Sequence, residues 1–322
     1  MNRVLVGFLM FALSSVLFTH EGFAQGKQVI TFAYTDDAAY EPYVYAIRQG
    51  IVSSKMVEVK LLPTAIPALL QSTGTKQFDL IETSPLLLAN ANLRGLDARI
   101  VGTGGIVRGG RYVFVQNDSP IKKPADLKGK TMGATAIAST LVAQIRAVLT
   151  KQFGLNTSLE NGDIRWVELP LPTLASALER NQVDSIYLIH IPSLRALQSG
   201  KFRILVDMTK DFRHDFGVDP LTSVIATYDS KIAEKGPALH EAIAMLRASA
   251  AYAKSHQAEV FAAVAKEKNM DIKDLNTVSY KWYELRFTLS GDDQKMIKTI
   301  LDIGKEQGLI PGYPTLDKFI WQ

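Results

Sequence analysis

Cysteine is absent from all 322 residues. That excludes disulfides, thiolate metal sites and a cysteine nucleophile, and also the lipidated cysteine that tethers many exported bacterial proteins. Histidine is scarce, with five residues at His20, His190, His214, His240 and His256. Their spacing to acidic residues makes no metal site, so no cofactor is expected. No Ser-His-Asp grouping stands out for nucleophilic catalysis. The loose turn Gly102-Thr103-Gly104-Gly105 is followed by neither Gly-x-Gly-x-x-Gly nor Lys-Ser/Thr, so it is not read as a phosphate cradle. Basic residues outnumber acidic ones by only 36 to 32. The short clusters Lys122-Lys123 and Lys128-Gly129-Lys130 are broken by Pro124 and Asp126, so nucleic acid is not an expected partner. Low-complexity stretches are also missing.

One apolar run does occur, from Val4 to Phe18, behind Arg3 and ahead of Gly22-Phe23-Ala24. A short basic start, an apolar stretch and a small-residue site read as a signal peptide over 1–24, cleaved to leave Gln25 first. The run is shorter than the roughly 20 residues that span a bilayer. Export without a lipid anchor leads to the expectation of a soluble periplasmic protein. Losing Arg3 and Glu21 with the leader leaves the formal charge at +4.

A pattern occurs twice, about a hundred residues apart. The first copy runs from Ile66-Pro67-Ala68-Leu69-Leu70 to Gln77-Phe78-Asp79-Leu80-Ile81-Glu82-Thr83-Ser84-Pro85. The second runs from Leu171-Pro172-Thr173-Leu174 to Gln182-Val183-Asp184-Ser185-Ile186-Tyr187, with Pro192 beyond. Each reads as an amphipathic helix, a turn carrying Asp, a buried strand and a polar loop opening the next helix. Two copies imply two α/β lobes of like construction. Ligands of open α/β sheets sit beyond the carboxyl ends of the strands, which here means between the lobes.

Strand and helix signals alternate elsewhere too, as in a mostly parallel sheet with right-handed crossovers. Strands are expected at Val29–Tyr34, Val57–Leu62, Phe78–Ile81, Ala98–Gly102 and Tyr112–Gln116. A second group follows at Thr131–Ala134, Ile164–Leu169, Phe202–Val206 and Thr222–Thr227. From Pro237 onward the patterning is helical. Tyr112–Gln116 and Thr222–Thr227 bracket the second group and read as neighbouring crossover segments. The expected domains are 25–111 with 223–322 for the first lobe, and an inserted second lobe over 112–222. A double connection permits hinge closure.

Several of these segments resemble a known family. Ser119-Pro120-Ile121-Lys122-Lys123-Pro124-Ala125-Asp126-Leu127-Lys128-Gly129-Lys130, the turn Ala134-Thr135-Ala136-Ile137-Ala138-Ser139-Thr140, and Gln182-Val183-Asp184 are similar to segments of periplasmic solute-binding proteins. The group concerned is the nitrate/taurine/alkanesulfonate-type receptors of ABC importers, which include relatives of a thiamine-pyrimidine-precursor synthase. The resemblance runs from about Val29 to the C-terminus. It implies a type II periplasmic-binding-protein fold, monomeric capture of a small molecule and delivery to an inner-membrane ABC permease. Two departures bear on the ligand. Ile137 stands where relatives often carry Gly, and Ile189-His190-Ile191-Pro192 has one residue more.

Candidate contacts follow from both readings. Ser139 and Thr140, with Thr135, Ile137 and Ala138 in the same loop, combine free N–H groups, hydroxyls and a positive helix end, which favour an anion. Thr83-Ser84 holds the corresponding place in the first lobe, where a hydroxyl alternatively caps the helix that Pro85 opens. Asp36 and Tyr40 follow the first strand at the cleft edge, although Asp36 alternatively caps a helix. Gly105 lies beside Arg108 and Arg111, whose guanidinium groups suit carboxylate or sulfonate oxygens. Leu171 and His190 complete the set from the second lobe, His190 alternatively satisfying a helix terminus, and Trp282-Tyr283 is read as packing for the C-terminal helices or, alternatively, as a cover for the cleft. Ile137, Leu171, Ile189 and the tyrosines suggest an apolar ligand body behind the headgroup. Three functions stay open: an importer receptor for a small organic anion, an exported enzyme on the same fold, and a receptor feeding a sensor. The missing catalytic grouping favours the first.

Overall fold

The computed structural model describes residues 26–322. The expected leader and its cleavage site lie outside the described residues. The first lobe contains β1 (Gln28–Thr35), α1 (Glu41–Arg48), β2 (Val57–Thr64), α2 (Ile66–Ser72), β3 (Leu80–Thr83), α3 (Pro85–Leu93), β4 (Ala98–Thr103) and the short β5 (Gly105–Val107). The chain then crosses into a second lobe of β6 (Tyr112–Gln116), β7 (Lys130–Ala134), α4 (Thr140–Phe153), β8 (Ile164–Glu168) and α5 (Leu174–Glu179). That lobe continues with β9 (Ser185–Leu188), α6 (His190–Ser199), β10 (Phe202–Asp207) and α7 (Met208–Phe216). The return passes through β11 (Val224–Tyr228), α8 (Asp229–Ser255), α9 (Gln257–Glu267), α10 (Ile272–Asn276), β12 (Tyr283–Leu285), α11 (Gly291–Glu306) and α12 (Leu316–Phe319).

Each lobe has a five-stranded sheet, ordered β2-β1-β3-β11-β4 in the first and β10-β6-β9-β7-β8 in the second. In each sheet one strand runs antiparallel to its neighbours, and it is the strand arriving from the other lobe: β11 in the first, β6 in the second. The rest are parallel and joined by helical crossovers. This is the type II periplasmic-binding-protein topology. The central strands β3 and β9 are buried at every residue, as expected for strands covered on both faces.

The sequence repeat has a concrete geometry. Asp79 Oδ2 accepts hydrogen bonds from the Thr31 backbone N–H and hydroxyl, both at 2.9 Å, while its own N–H donates to Thr31 Oγ1 at 2.9 Å. In the second lobe Asp184 Oδ2 accepts from the Thr131 N–H at 2.8 Å and hydroxyl at 2.7 Å, and the Asp184 N–H donates back at 2.9 Å. The repeated Asp therefore locks the entry of each central strand to the neighbouring strand.

Two expectations are corrected. Tyr112–Gln116 and the run at Thr222–Thr227 do not lie side by side: β6 and β11 belong to different sheets. The two crossings pair earlier along the chain, where the Gly104 N–H donates to Ser223 O at 2.9 Å, Thr222 N–H to Gly105 O at 2.8 Å and Val107 N–H to Pro220 O at 2.9 Å. Each crossing strand is then captured between two strands of the sheet it enters, which satisfies both of its edges. The region after Pro237 is also not wholly helical. Thr277–Lys281 widens into a π turn, and β12 then pairs antiparallel with β5. Three residues are too few for a period-two signal, and tertiary pairing makes the strand.

Candidate functional site

The β5–β12 ribbon brings Tyr283 to the seam between the lobes. Gly105 makes this approach possible: a Cβ there would lie 2.0 Å from Tyr283 Oη and 2.4 Å from Thr222 Oγ1. The Tyr283 ring centroid is 5.9 Å from that of Tyr40 in the first lobe and 5.1 Å from that of His190 in the second. His190 opens α6 at φ 49°, a left-handed backbone that only tertiary contacts hold in a histidine. Its Nδ1 lies 3.1 Å from Asp37 Oδ2, across the seam. Burial would raise the Asp37 pKa, but the hydrogen bond and charge of His190, with the Ala39 N–H, outweigh it and hold the carboxyl below its usual range.

Glu82, on the central strand β3, is buried beneath this cluster. One carboxylate oxygen accepts from the Thr35 N–H at 2.8 Å and the other from the Ser223 hydroxyl at 2.5 Å. Burial first, and the Glu82 charge second, push the hydroxyls of Tyr40 and Tyr283 far above the ordinary range. Both tyrosines are therefore neutral hydrogen-bond donors at any physiological pH.

Arg111 completes the group from the segment between β5 and β6. It is fully buried. Its Nη1 donates to Gln144 Oε1 at 2.6 Å, and Gln144 Nε2 donates to Leu221 O at 2.7 Å. Its Nε and Nη2 have no protein partner, and among the described residues no carboxylate pairs with it. Burial pulls its pKa down, yet a guanidinium that starts above about 12 stays charged. The Tyr187 hydroxyl lies beside it, pushed up to about 12 by burial against the opposing pull of the guanidinium. Tyr40 Oη, Tyr187 Oη and His190 Nε2 are likewise buried without partners. Such groups cost about 1–3 kcal/mol each when unsatisfied.

Of the residues singled out from the sequence, the structure brings Tyr40, Gly105, Arg111 and His190 together here. Ser84 and Thr140 form a second interlobe contact, hydroxyl to hydroxyl at 2.7 Å. Ser139 caps α4 through the Val142 N–H at 3.5 Å, and Thr83 pairs with Thr73 at 2.7 Å inside the first lobe. In the loop of Thr135, Ile137 and Ala138, the Ile137 N–H donates to Glu168 Oε2 at 2.9 Å, while Ala138 is exposed. Arg108 pairs with Glu284 at 2.6 Å outside the cluster, Asp36 is exposed, and Leu171 packs half-buried on the second-lobe core. Asp37, Glu82, Gln144 and Tyr187 were not singled out, and Tyr283, read chiefly as packing for the C-terminal helices, lies against Tyr40 and His190 at the seam. Only Asp37, next to Asp36 in the loop after the first strand, and Glu82 and Tyr187, inside the repeated strands, carried a sequence signal.

Among the described residues no group of three or more His, Asp or Glu is placed to hold a metal, and no helix is long and apolar enough to cross a membrane.

A two-lobed binding-protein fold with a buried polar cluster at the interlobe seam is the class that these observations define. The chain matches the NMT1/THI5-like family over residues 40–260 and belongs to that family. No curated protein sequence matches it. Among solved structures it is similar to the periplasmic aliphatic sulphonate binding protein SsuA from Escherichia coli, with TM-score 0.72 and 19% identity over 92% of this chain and 98% of that one. The alkanesulfonate-binding protein SsuA from Xanthomonas axonopodis pv. citri bound to MOPS gives TM-score 0.69 and 18% identity, covering 92% and 99%. A DSZB variant in complex with biphenyl-2-sulfinic acid gives 0.63 and 16%, covering 91% and 96%; DSZB is a desulfurization enzyme. The fold is thus shared by binding proteins and by an enzyme.

Proposed function

We propose that this protein is the periplasmic substrate-binding component of an ABC importer, which captures a small organic anion of sulfonate or carboxylate type between its lobes and hands it to a membrane permease. One observation carries the reading: Arg111 is a buried, permanent positive charge with two donor nitrogens free and no carboxylate beside it. An ionised sulfonate or carboxylate supplies the missing counter-charge and accepts both hydrogen bonds. Tyr40 and Tyr187 offer further neutral donors, and the surrounding tyrosine rings suit an apolar body. The similarity to sulfonate-binding SsuA proteins supports the same ligand class. In this reading Ser84 and Thr140 close the lobes over the ligand, and the protein works as a monomer.

The enzyme reading has support from the fold of DSZB. Against it, the one hydroxyl–carboxylate pair in the cluster, Ser223–Glu82, has no histidine on it, because His190 Nδ1 faces Asp37 instead. Isothermal titration calorimetry with alkane- and arylsulfonates and aromatic carboxylates tests the proposal. Saturable binding without turnover supports a receptor; product formation, or no binding across the panel, defeats it. Export is tested by N-terminal sequencing of the periplasmic fraction, where a start near Gln25 is expected and an intact leader in the membrane fraction is the contrary result.

A further inference from the structure

Why does Arg111 have an amide for its protein partner? Gln144 sits on α4 one turn beyond Thr140, with no solvent exposure, and bridges the two crossings by accepting from Arg111 Nη1 and donating to the Leu221 carbonyl. A carboxamide orients the guanidinium without neutralising it. A carboxylate at the same place would form the ion pair internally.

We propose that Gln144 is a positioning and charge-selectivity residue: its neutral side chain fixes the Arg111 fork at the hinge and leaves its charge for the ligand, making the site demand an anion. The inference rests on the anion reading above and deepens it. Gln144 touches no ligand in this scheme; it acts through Arg111. Its second bond, to Leu221, ties the orientation of that fork to the returning crossing, so the ligand's counter-charge and the hinge share one side chain.

Two variants separate charge from scaffolding. Gln144→Glu supplies a carboxylate to Arg111, whereas Gln144→Met removes both hydrogen bonds and adds no charge. Both lose the donor to Leu221 O, so they differ only in what faces Arg111, a charged acceptor or none. Thermal unfolding of the full mature protein is followed with methanesulfonate and with sulfate, at constant ionic strength. For the parent, both anions are expected to raise Tm. Gln144→Glu is expected to lose about a hundredfold in apparent anion affinity, and Gln144→Met about tenfold or less. In the absence of anion, Gln144→Glu is expected to melt above Gln144→Met, because the buried guanidinium has gained a partner. Equal loss of affinity in the two variants, or unchanged affinity in Gln144→Glu, overturns the proposal while leaving the anion reading intact. No response of the parent to either anion counts against the anion reading instead. The ligand-free ranking then still decides whether Arg111 lacks a counter-charge, and Gln144→Glu melting at or below Gln144→Met overturns that premise.

Discussion

The hydroxyls of Ser84 and Thr140 meet at 2.7 Å, one at the start of α3 and the other at the start of α4, from opposite lobes. Ser84 also caps its own helix through the Leu87 N–H at 3.3 Å. Two helix N-termini, each with a partial positive charge, are thereby brought face to face. That arrangement is repulsive by itself, so the closed lobes rest on contacts such as this one and Asp37–His190. Thr140→Val removes the hydroxyl and keeps the shape. A neutral hydrogen bond contributes about 0.5–1.5 kcal/mol, so ligand affinity should fall about two- to tenfold. Small-angle scattering should show the ligand-free variant less compact than the parent; an unchanged profile means that the pair does not hold the lobes.

Arg111→Met tests the charge directly. Hydrogen bonds to a charged group are worth about 1.5–3 kcal/mol each, so losing two should weaken anion binding by at least about a hundredfold. Stability should move the other way. An uncompensated buried charge is costly, and methionine fills similar space without it, so the ligand-free Tm should not fall. A large loss of Tm together with full affinity would assign Arg111 a structural role.

Gly105→Ala should be disruptive for a reason that is local and steric. The added methyl would meet Tyr283 Oη at 2.0 Å and its ring carbon at 2.4 Å, and neither belongs to a flexible side-chain end. Overpacking of this kind costs about 1–3 kcal/mol. Tyr283 must shift, so binding should weaken along with a lower Tm. Tyr283→Leu on the same background should recover part of the stability but not the affinity.

Acid sensitivity should centre on Glu284. Burial would raise its pKa, but hydrogen bonds from Arg286 and Lys254, together with the charges of Lys254 and Arg108, bring it down to about 2 from an ordinary 4.5. The folded pKa is depressed, so the network's stabilisation is fully present above about pH 4.5 and is lost as pH falls toward 2. Arg108 and Lys254 are partly exposed, which screens their share. Glu284→Gln should therefore lower stability at pH 6 and flatten the dependence between about pH 4.5 and 2. Urea unfolding at pH 3 and pH 6 measures this, and parallel losses at both values contradict it.

Much of the architecture was readable in the residues. The paired Asp79 and Asp184, the helix-opening prolines and hydroxyls, and apolar runs such as Leu80–Ile81 act over a few neighbours, and local sequence encodes such features directly. The sites were less accessible. Arg111 and Tyr40 could be named from sequence, because a basic or phenolic side chain near a strand end is conspicuous. Which arginine is buried could not, since Arg108 and Arg111 differ only in which way the chain turns after β5. Tertiary packing settled this: Arg108 meets Glu284 of β12, while Arg111 meets Gln144 of α4.

Tyr283 shows the same limit most clearly. Its strand is three residues long inside a helical region, and it exists because β5 offers an edge. The crossings paired one step before the strands expected to do so, for a related reason. Pairing partners far apart in sequence compete through burial and backbone satisfaction, and no local pattern records the winner. By itself the sequence determined two lobes of like construction, joined twice, with polar loops turned toward each other. Only the tertiary structure decided which side chains from β3, β12, α6 and the crossings meet between them, because that depends on which long-range contacts bury charge with the fewest unpaired groups.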